Sequence, residues 1–249
     1  MIDTHCHLDA CEPPAAELVE RARRVGVRRI ATVGTDGASI ARALAAADAH
    51  EEVVAIVGRH PHEAEGFGSA DIDEIERAAI RPEVRAVGET GLDYYRDRAP
   101  RADQRRAFEA QLELAARLEL PAVIHTRAAE GDTFAILAEH AEAVTVVLHC
   151  FSAPERVEEC VARGYLCSFA GNVTFPKAGA LQAAARDLPP ELLLVETDSP
   201  YLAPQPVRGK PNEPASVVAT AEHLAELRGV GYAELEATVE RNAARVFGW

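Results

Sequence analysis

The stretch RADQRRAFEAQLELAARLELPAVIHTR, residues 101–127, holds both halves of the repeating unit that decides the fold. Arg101 to Leu118 is alanine-rich and amphipathic at helical spacing. Pro121 to His125 is a short β-branched run whose last residue is an ionisable histidine. The same alternation extends in both directions. The spacing predicts strands over Met1 to His5, Arg29 to Gly34, Val53 to Gly58, Val84 to Gly88, Pro121 to His125, Thr145 to Leu148, Tyr165 to Phe169 and Leu192 to Glu196. Helices are predicted over Pro13 to Val25, Gly37 to Ala49, Arg101 to Leu118, Pro154 to Arg163 and Pro214 to Leu227. Eight βα units within 249 residues predict a (β/α)8 TIM barrel in one domain, 1–249, with a doubly wound open sheet as the rival. No linker or low-complexity tract breaks the series.

Bulk properties narrow the classes of function. Forty acidic residues against 26 basic ones give a net charge of −14, the wrong sign for a protein that coats nucleic acid through a broad basic surface. Any nucleic-acid contact is therefore local. No apolar run reaches the roughly 18 residues of a membrane span, and the N-terminus lacks the features of a signal peptide. Five cysteines, an odd number without a C-x-x-C pair, read as free thiols of a reducing compartment, so a cytoplasmic chain is expected.

In a (β/α)8 barrel the site lies at the C-terminal ends of the strands, so the residues terminating each run matter most. Strand one closes on His5 and His7, which share a face if the strand continues, with Cys6 on the other. Strand three closes on GRHPH with His60 and His62, strand four on GETGLDYY with Glu89 and Asp93, and strand five on VIHTR with His125. Strand six closes on VLHCF with His149, strand eight on VETDSPYL with Asp198. Six of the nine histidines thus fall at one rim, while His50, His140 and His223 fall in helical segments. Singly, each has an ordinary structural explanation, such as a turn at His60-Pro61-His62 or at Asp198-Ser199-Pro200. Together, ionisable ends on six strands offer little to stability and make a metal site of nitrogen and oxygen donors.

The motifs DTHCHLD, GRHPHEA, GETGLDYY, HCFS, VETDSPYLAP and RGKPNEP occur in order along the whole chain, which on these residues resembles the TatD-family metal-dependent deoxyribonucleases of the amidohydrolase-like barrels. The resemblance implies that His5, His7 and Asp198 hold one divalent ion, that His125 and His149 hold a second, and that Glu89 bridges them. His60 and His62 would lie beside the site in substrate contact. The ions implied are magnesium, manganese, zinc or nickel, with iron also suited to a His-rich set. Asp198 is the expected general base, and Asp93 and Glu196 are expected to support the ligands from behind. For Glu196 a buried carboxylate paired within the barrel is the alternative. Arg127, Arg208 and Lys210 stand where they meet phosphates. Tyr94, Tyr95, Phe151 and Tyr201 offer rings on which an unpaired base stacks, with packing the fate of at least two. The cluster Arg21, Arg23, Arg24, Arg28 and Arg29 reads as a solvated helix face and strand entry, and Cys150 as core.

The function expected is a two-metal deoxyribonuclease, a 3′-5′ exonuclease on single-stranded DNA ends. An amidohydrolase acting on a small amide or lactone is the alternative, and a non-catalytic barrel that only binds is a third class. Many binuclear relatives bridge their metals with a carboxylated lysine on strand four. The only lysines here are Lys177 and Lys210, so Glu89 must serve, which favours the nuclease. Two positions depart from the family pattern: Ala128 stands where an acidic residue is common, and Ala153 where a glycine closes the HCF motif.

Overall fold

The computed structural model describes all 249 residues, Met1 to Trp249. Eight strands, β1 (Ile2–Cys6), β2 (Arg29–Gly34), β3 (Val53–Val57), β4 (Val84–Asp93), β5 (Ala122–Arg127), β6 (Val146–Leu148), β7 (Leu166–Phe169) and β8 (Leu193–Val195), form one sheet in the order of the chain. Nine helices accompany them: α1 (Ala15–Arg24), α2 (Gly37–Ala49), α3 (Ser69–Ala79), α4 (Arg101–Leu118), α5 (Glu130–His140), α6 (Val157–Arg163), α7 (Gly179–Asp187), α8 (Val217–Arg228) and α9 (Tyr232–Phe247). Parallel pairing of consecutive strands, each followed by a helix, is the (β/α)8 TIM barrel topology. No helix is long and apolar enough to cross a membrane.

The chain groups into two compact units, the first Met1–Thr32, Ala46–Val54 and His149–Trp249, the second Val33–Ala45 and Ala55–Leu148. In the first, β8 runs beside β1. Thr4 Oγ1 donates to the Val195 carbonyl at 2.9 Å, the Asp198 amide to the His5 carbonyl at 2.9 Å, and the His7 amide to the Ser199 carbonyl at 2.8 Å. Every residue of β1, β7 and β8 is buried, as in a parallel sheet covered on both faces. Phe151 and Phe169 meet edge to face at 5.7 Å. Asn242 of α9 ties that helix to β8 by donating to the Pro190 and Leu193 carbonyls at 2.7 and 2.8 Å.

The second unit is organised by α4. Its inward stripe of Ala107, Phe108, Leu112, Leu114 and Ala115 also carries two buried amides, Gln104 and Gln111. Gln111 accepts the Arg59 amide at 2.7 Å and donates to Thr90 Oγ1 at 2.7 Å and the Arg59 carbonyl at 3.1 Å. Gln104 accepts the Asp93 amide at 2.9 Å. The helix thus pins the end of β3 and the length of β4 through side chains that no hydrophobic pattern predicts. A side chain at Gly58 would meet Gln111 Oε1 at 2.7 Å, and one at Gly91 would meet the His125 carbonyl oxygen at 2.0 Å, so both positions need glycine. Gln111→Leu keeps the volume but strands the buried Arg59 amide. It is expected to lower unfolding free energy by about 1–3 kcal/mol at unchanged m-value in urea titration. A loss under about 0.5 kcal/mol would remove the bracing role.

Several boundaries differ from those predicted by periodicity. β4 continues past Gly88 to Asp93, and β5 past His125 to Arg127, because the two pair from Val87↔Ala122 to Asp93↔Arg127, with a register shift between Gly88 and Thr90 that falls at Glu89. Glu89, Asp93 and His125 therefore lie within strands rather than after them. Strand β1 instead stops at Cys6, leaving His7 outside with φ −114° and ψ 81°. Strand β8 stops at Val195, ahead of Glu196 and Asp198. Cys150 lies beyond β6 at φ +44° and is half-buried, so strand alternation does not govern it. Of the arginines of α1 and the β2 entry, Arg23, Arg24 and Arg28 are exposed and Arg21 and Arg29 partly so; Arg21 pairs with Glu213 at 2.8 Å and Arg23 with Glu20 at 2.7 Å.

Candidate metal centre

The second unit brings five ionisable side chains together. Glu89 Oε1 is 2.6 Å from His125 Nδ1 and 3.4 Å from His60 Nε2, and ligand atoms of the three lie within 4.8 Å of one another. Asp93 Oδ2 stands 2.8 Å from His62 Nε2 and 3.4 Å from His125 Nε2, while its Oδ1 accepts the Tyr95 and Arg96 amides at 2.9 and 2.8 Å. Burial pushes the Asp93 carboxyl up, but the His125 hydrogen bond, the Arg96 amide and His62 together hold it well below the usual carboxylate range. It is an anion that orients two imidazoles at once.

His60 is set by its own backbone. Its Nδ1 accepts the His62 amide at 3.0 Å across the His60-Pro61-His62 turn, so in the neutral ring the proton is assigned to Nε2, facing Glu89. Burial lowers the His60 pKa to about 4, despite the pull of Glu89, and the ring is neutral at pH 7. A neutral imidazole already accepting at Nδ1 and protonated at Nε2 is a donor toward the site rather than a ligand.

The first unit holds the remaining ionisable ends. His5 and His7 have ring centroids 5.1 Å apart despite the strand ending between them, because the His7 amide is held by the Ser199 carbonyl. His5 stacks on His149 at 3.9 Å, and ligand atoms of His5, His149 and Glu196 lie within 4.8 Å. Glu196 Oε1 faces His149 Nδ1 at 3.1 Å and accepts the Cys150 amide at 2.8 Å. That contact assigns a proton to Nδ1 and turns Nε2 into the ligating atom. Asp198 Oδ1 is 3.6 Å from His7 Nε2. Burial raises the Asp198 carboxyl, yet the His7 hydrogen bond and the charges of His149, His5 and His7 leave it below the ordinary value. Its backbone is left-handed, φ +52°, a conformation rarely tolerated outside glycine and one found at functional sites.

These residues fit a divalent ion. Two ligand atoms each about 2.1 Å from one ion stand roughly 3.0–3.4 Å apart, so His7 Nε2 and Asp198 Oδ1, at 3.6 Å, suit one ion with little adjustment, whereas Glu89 Oε1 and His125 Nδ1, at 2.6 Å, would have to open slightly. The donors are all nitrogen and oxygen, and Glu196 Oε2 is a buried carboxylate oxygen without a hydrogen-bond donor, which a nearby cation would satisfy.

Arg127 is exposed with its guanidinium 4.1 Å from the Tyr95 ring, Arg208 lies 4.1 Å from the Phe175 ring, and Lys210 is exposed. Phe151 is buried, and Tyr94 is committed to Asp132 at 2.7 Å with Arg101 over its ring, so these two rings are structural. Tyr95 and Tyr201 stay open, 63% and 58% exposed. Ala153 sits at φ −113°, where alanine is as comfortable as glycine, whereas Ala128 is left-handed at φ +52°. The sequence reading missed Asp3. It is fully buried, accepts the Thr197 amide and hydroxyl at 2.9 and 2.6 Å, and is pushed up to about 8 by burial. An acidic residue opening a strand was its only sequence signal.

Histidine and carboxylate clusters at the C-terminal ends of parallel strands, in a chain of eight βα units, define a metal-dependent hydrolase of the TIM-barrel class. The family model described as TatD related DNase matches residues 2–248. The chain belongs to that family. It is 38% identical over 251 residues to the uncharacterized metal-dependent hydrolase YabD of Bacillus subtilis, covering 99% of this chain and 98% of that protein. It is 36% identical to the 3′-5′ ssDNA/RNA exonuclease TatD of Cronobacter sakazakii, over 93% of this chain and 90% of that one. The crystal structure of YjjV, a TatD homolog from Escherichia coli, superposes with a TM-score of 0.92 at 31% identity, covering 100% of this chain and 98% of that chain.

Proposed function

We propose that this chain, as one hydrolase domain over 1–249, removes nucleotides from the ends of single-stranded DNA in the 3′-5′ direction. Two divalent ions would serve it: His5, His7 and Asp198 would hold one, His125 and His149 the other, and Glu89 would lend its carboxylate to both. The observation that carries the reading is the pair of imidazole–carboxylate clusters on strand ends, the second built on Glu89 between His125 and His60. The name of the Cronobacter relative supports the substrate class. When bound, the ions supply a nucleophilic water at neutral pH and neutralise charge on the phosphoryl oxygens.

The rest is the work of the chain's own groups. Asp198, ionised at neutral pH, accepts the proton of the attacking water. His60 directs its Nε2 proton toward Glu89, and His62 is held in place by Asp93. Glu196 fixes the ring of His149 from behind, and Asp93 does so for His125. Arg127, Arg208 and Lys210 meet backbone phosphates. The net charge of −14 leaves no extended basic track for a duplex, and a threaded end needs only this local clamp.

The test is release of mononucleotides by metal-loaded protein from linear single-stranded DNA, a closed single-stranded circle of the same composition, and linear duplex. The linear single strand is expected to be fastest, with bound metal near two per chain. Equal rates on circle and linear strand would overturn the end-directed reading. Hydrolysis of N-acyl amino acids or lactones without any of DNA would replace it with the amidohydrolase one.

A further inference from the structure

Resting on the nuclease reading, we infer that Tyr95 and Arg127 form a nucleotide-recognition pair: the exposed Tyr95 ring stacks an unpaired base, and the edge of Arg127 meets the adjoining phosphate. The first observation is exposure. Tyr95 is 63% exposed, although burying its ring would remove more apolar surface from water than almost any other residue here. The second is that this exposed ring is not loose. Its amide is fixed at 2.9 Å by Asp93 Oδ1, the carboxylate whose other oxygen faces His62 and His125.

The third is the partner. Register pairing of Asp93 with Arg127 sets the end of β5 beside the start of the tyrosine pair, and the Tyr94 amide donates to the Arg127 carbonyl at 2.9 Å. The Arg127 guanidinium then lies 4.1 Å from the Tyr95 centroid. Arg101 and Tyr94 repeat this geometry next door, but there Arg101 pairs with Asp97 at 3.3 Å and the Tyr94 hydroxyl with Asp132, which uses up both partners. Neither the Tyr95 hydroxyl nor the Arg127 guanidinium has such an acidic partner; besides Arg127, the Arg96 guanidinium approaches the ring, at 5.7 Å from its centroid. The Arg127 guanidinium close against the ring holds it still while leaving its N–H edge for an anion, and the ring, 63% exposed, keeps surface for a second flat π-system, with the Arg96 guanidinium farther off. Base, ring and guanidinium in one stack beside a phosphate is how single strands are held without sequence preference.

The experiment measures Kd by fluorescence anisotropy of a labelled oligodeoxythymidylate, and in parallel of the same oligonucleotide with abasic residues at its 3′ end, using metal-loaded protein. Tyr95→Ala is expected to weaken binding of the base-bearing strand roughly 10- to 100-fold and to leave the abasic strand unchanged. Tyr95→Phe, which keeps the ring, is expected to restore the Kd. Arg127→Leu is expected to weaken both strands and to lower the log–log salt slope by about one unit. Equal Kd for wild type and Tyr95→Ala on the base-bearing strand overturns the inference, and if wild type hydrolyses that strand the nuclease reading stands without it. If wild type hydrolyses no phosphodiester the nuclease reading fails. The Kd comparison then decides the stacking pair alone, and absence of binding by wild type counts against it.

Discussion

Glu89→Ala is expected to abolish hydrolysis, a fall on the order of 10⁴-fold or more in kcat/KM, and to lower bound metal while the fold persists. Glu89 is buried, and its Oε1 lies within 3.5 Å of both His125 and His60. Removing it leaves two imidazoles, 4.6 Å apart between centroids, facing each other with no anion between them. That arrangement loses the charge that draws a cation and the oxygens able to span two. The fold should survive, because β4 is held by its register with β5 and by Gln104 and Gln111. Metal analysis, circular dichroism and turnover of single-stranded DNA read the three parts separately. Wild-type metal content in Glu89→Ala would remove the bridging role, and Glu89→Gln, which keeps shape without charge, separates lost ligation from lost packing.

Asp198→Asn should act on chemistry more than on binding. The carboxylate is held ionised by His7, and its left-handed backbone aims it from a turn that neighbouring hydrogen bonds over-determine: its amide to the His5 carbonyl and the Tyr201 amide to its own carbonyl. Asparagine accepts that conformation better than most residues, so geometry is retained while the basic oxygen is lost. The expected result is a fall in kcat on the order of 10²–10⁴-fold with KM changed far less, the signature of removed proton transfer. Steady-state kinetics on a single-stranded oligonucleotide, with metal content measured on the same samples, checks it. A rise in KM at preserved kcat would assign Asp198 to substrate binding alone.

Sequence by itself determined the architecture and marked the candidate residues of the site. Alternation of β-branched runs with amphipathic helices is a local property, written in periods of 2 and 3.6, and the parallel sheet follows from it. Histidines and carboxylates at strand ends are likewise visible in one dimension, because the topology sends those ends to one rim. Tertiary structure alone decided what each group does for its neighbour. The proton on His60 depends on the amide two residues on, and that on His149 depends on Glu196, 47 positions away. The extension of β4 through Glu89 to Asp93 depends on pairing with β5, and its anchoring depends on glutamines of α4 that no hydrophobic pattern marks. Tyr94 and Tyr95 are adjacent and chemically identical, yet one is tied to Asp132 while the other stays open under Arg127. Hydrogen-bond partners, burial and ring contacts are properties of pairs distant along the chain, so they come into being only when the strands are laid side by side.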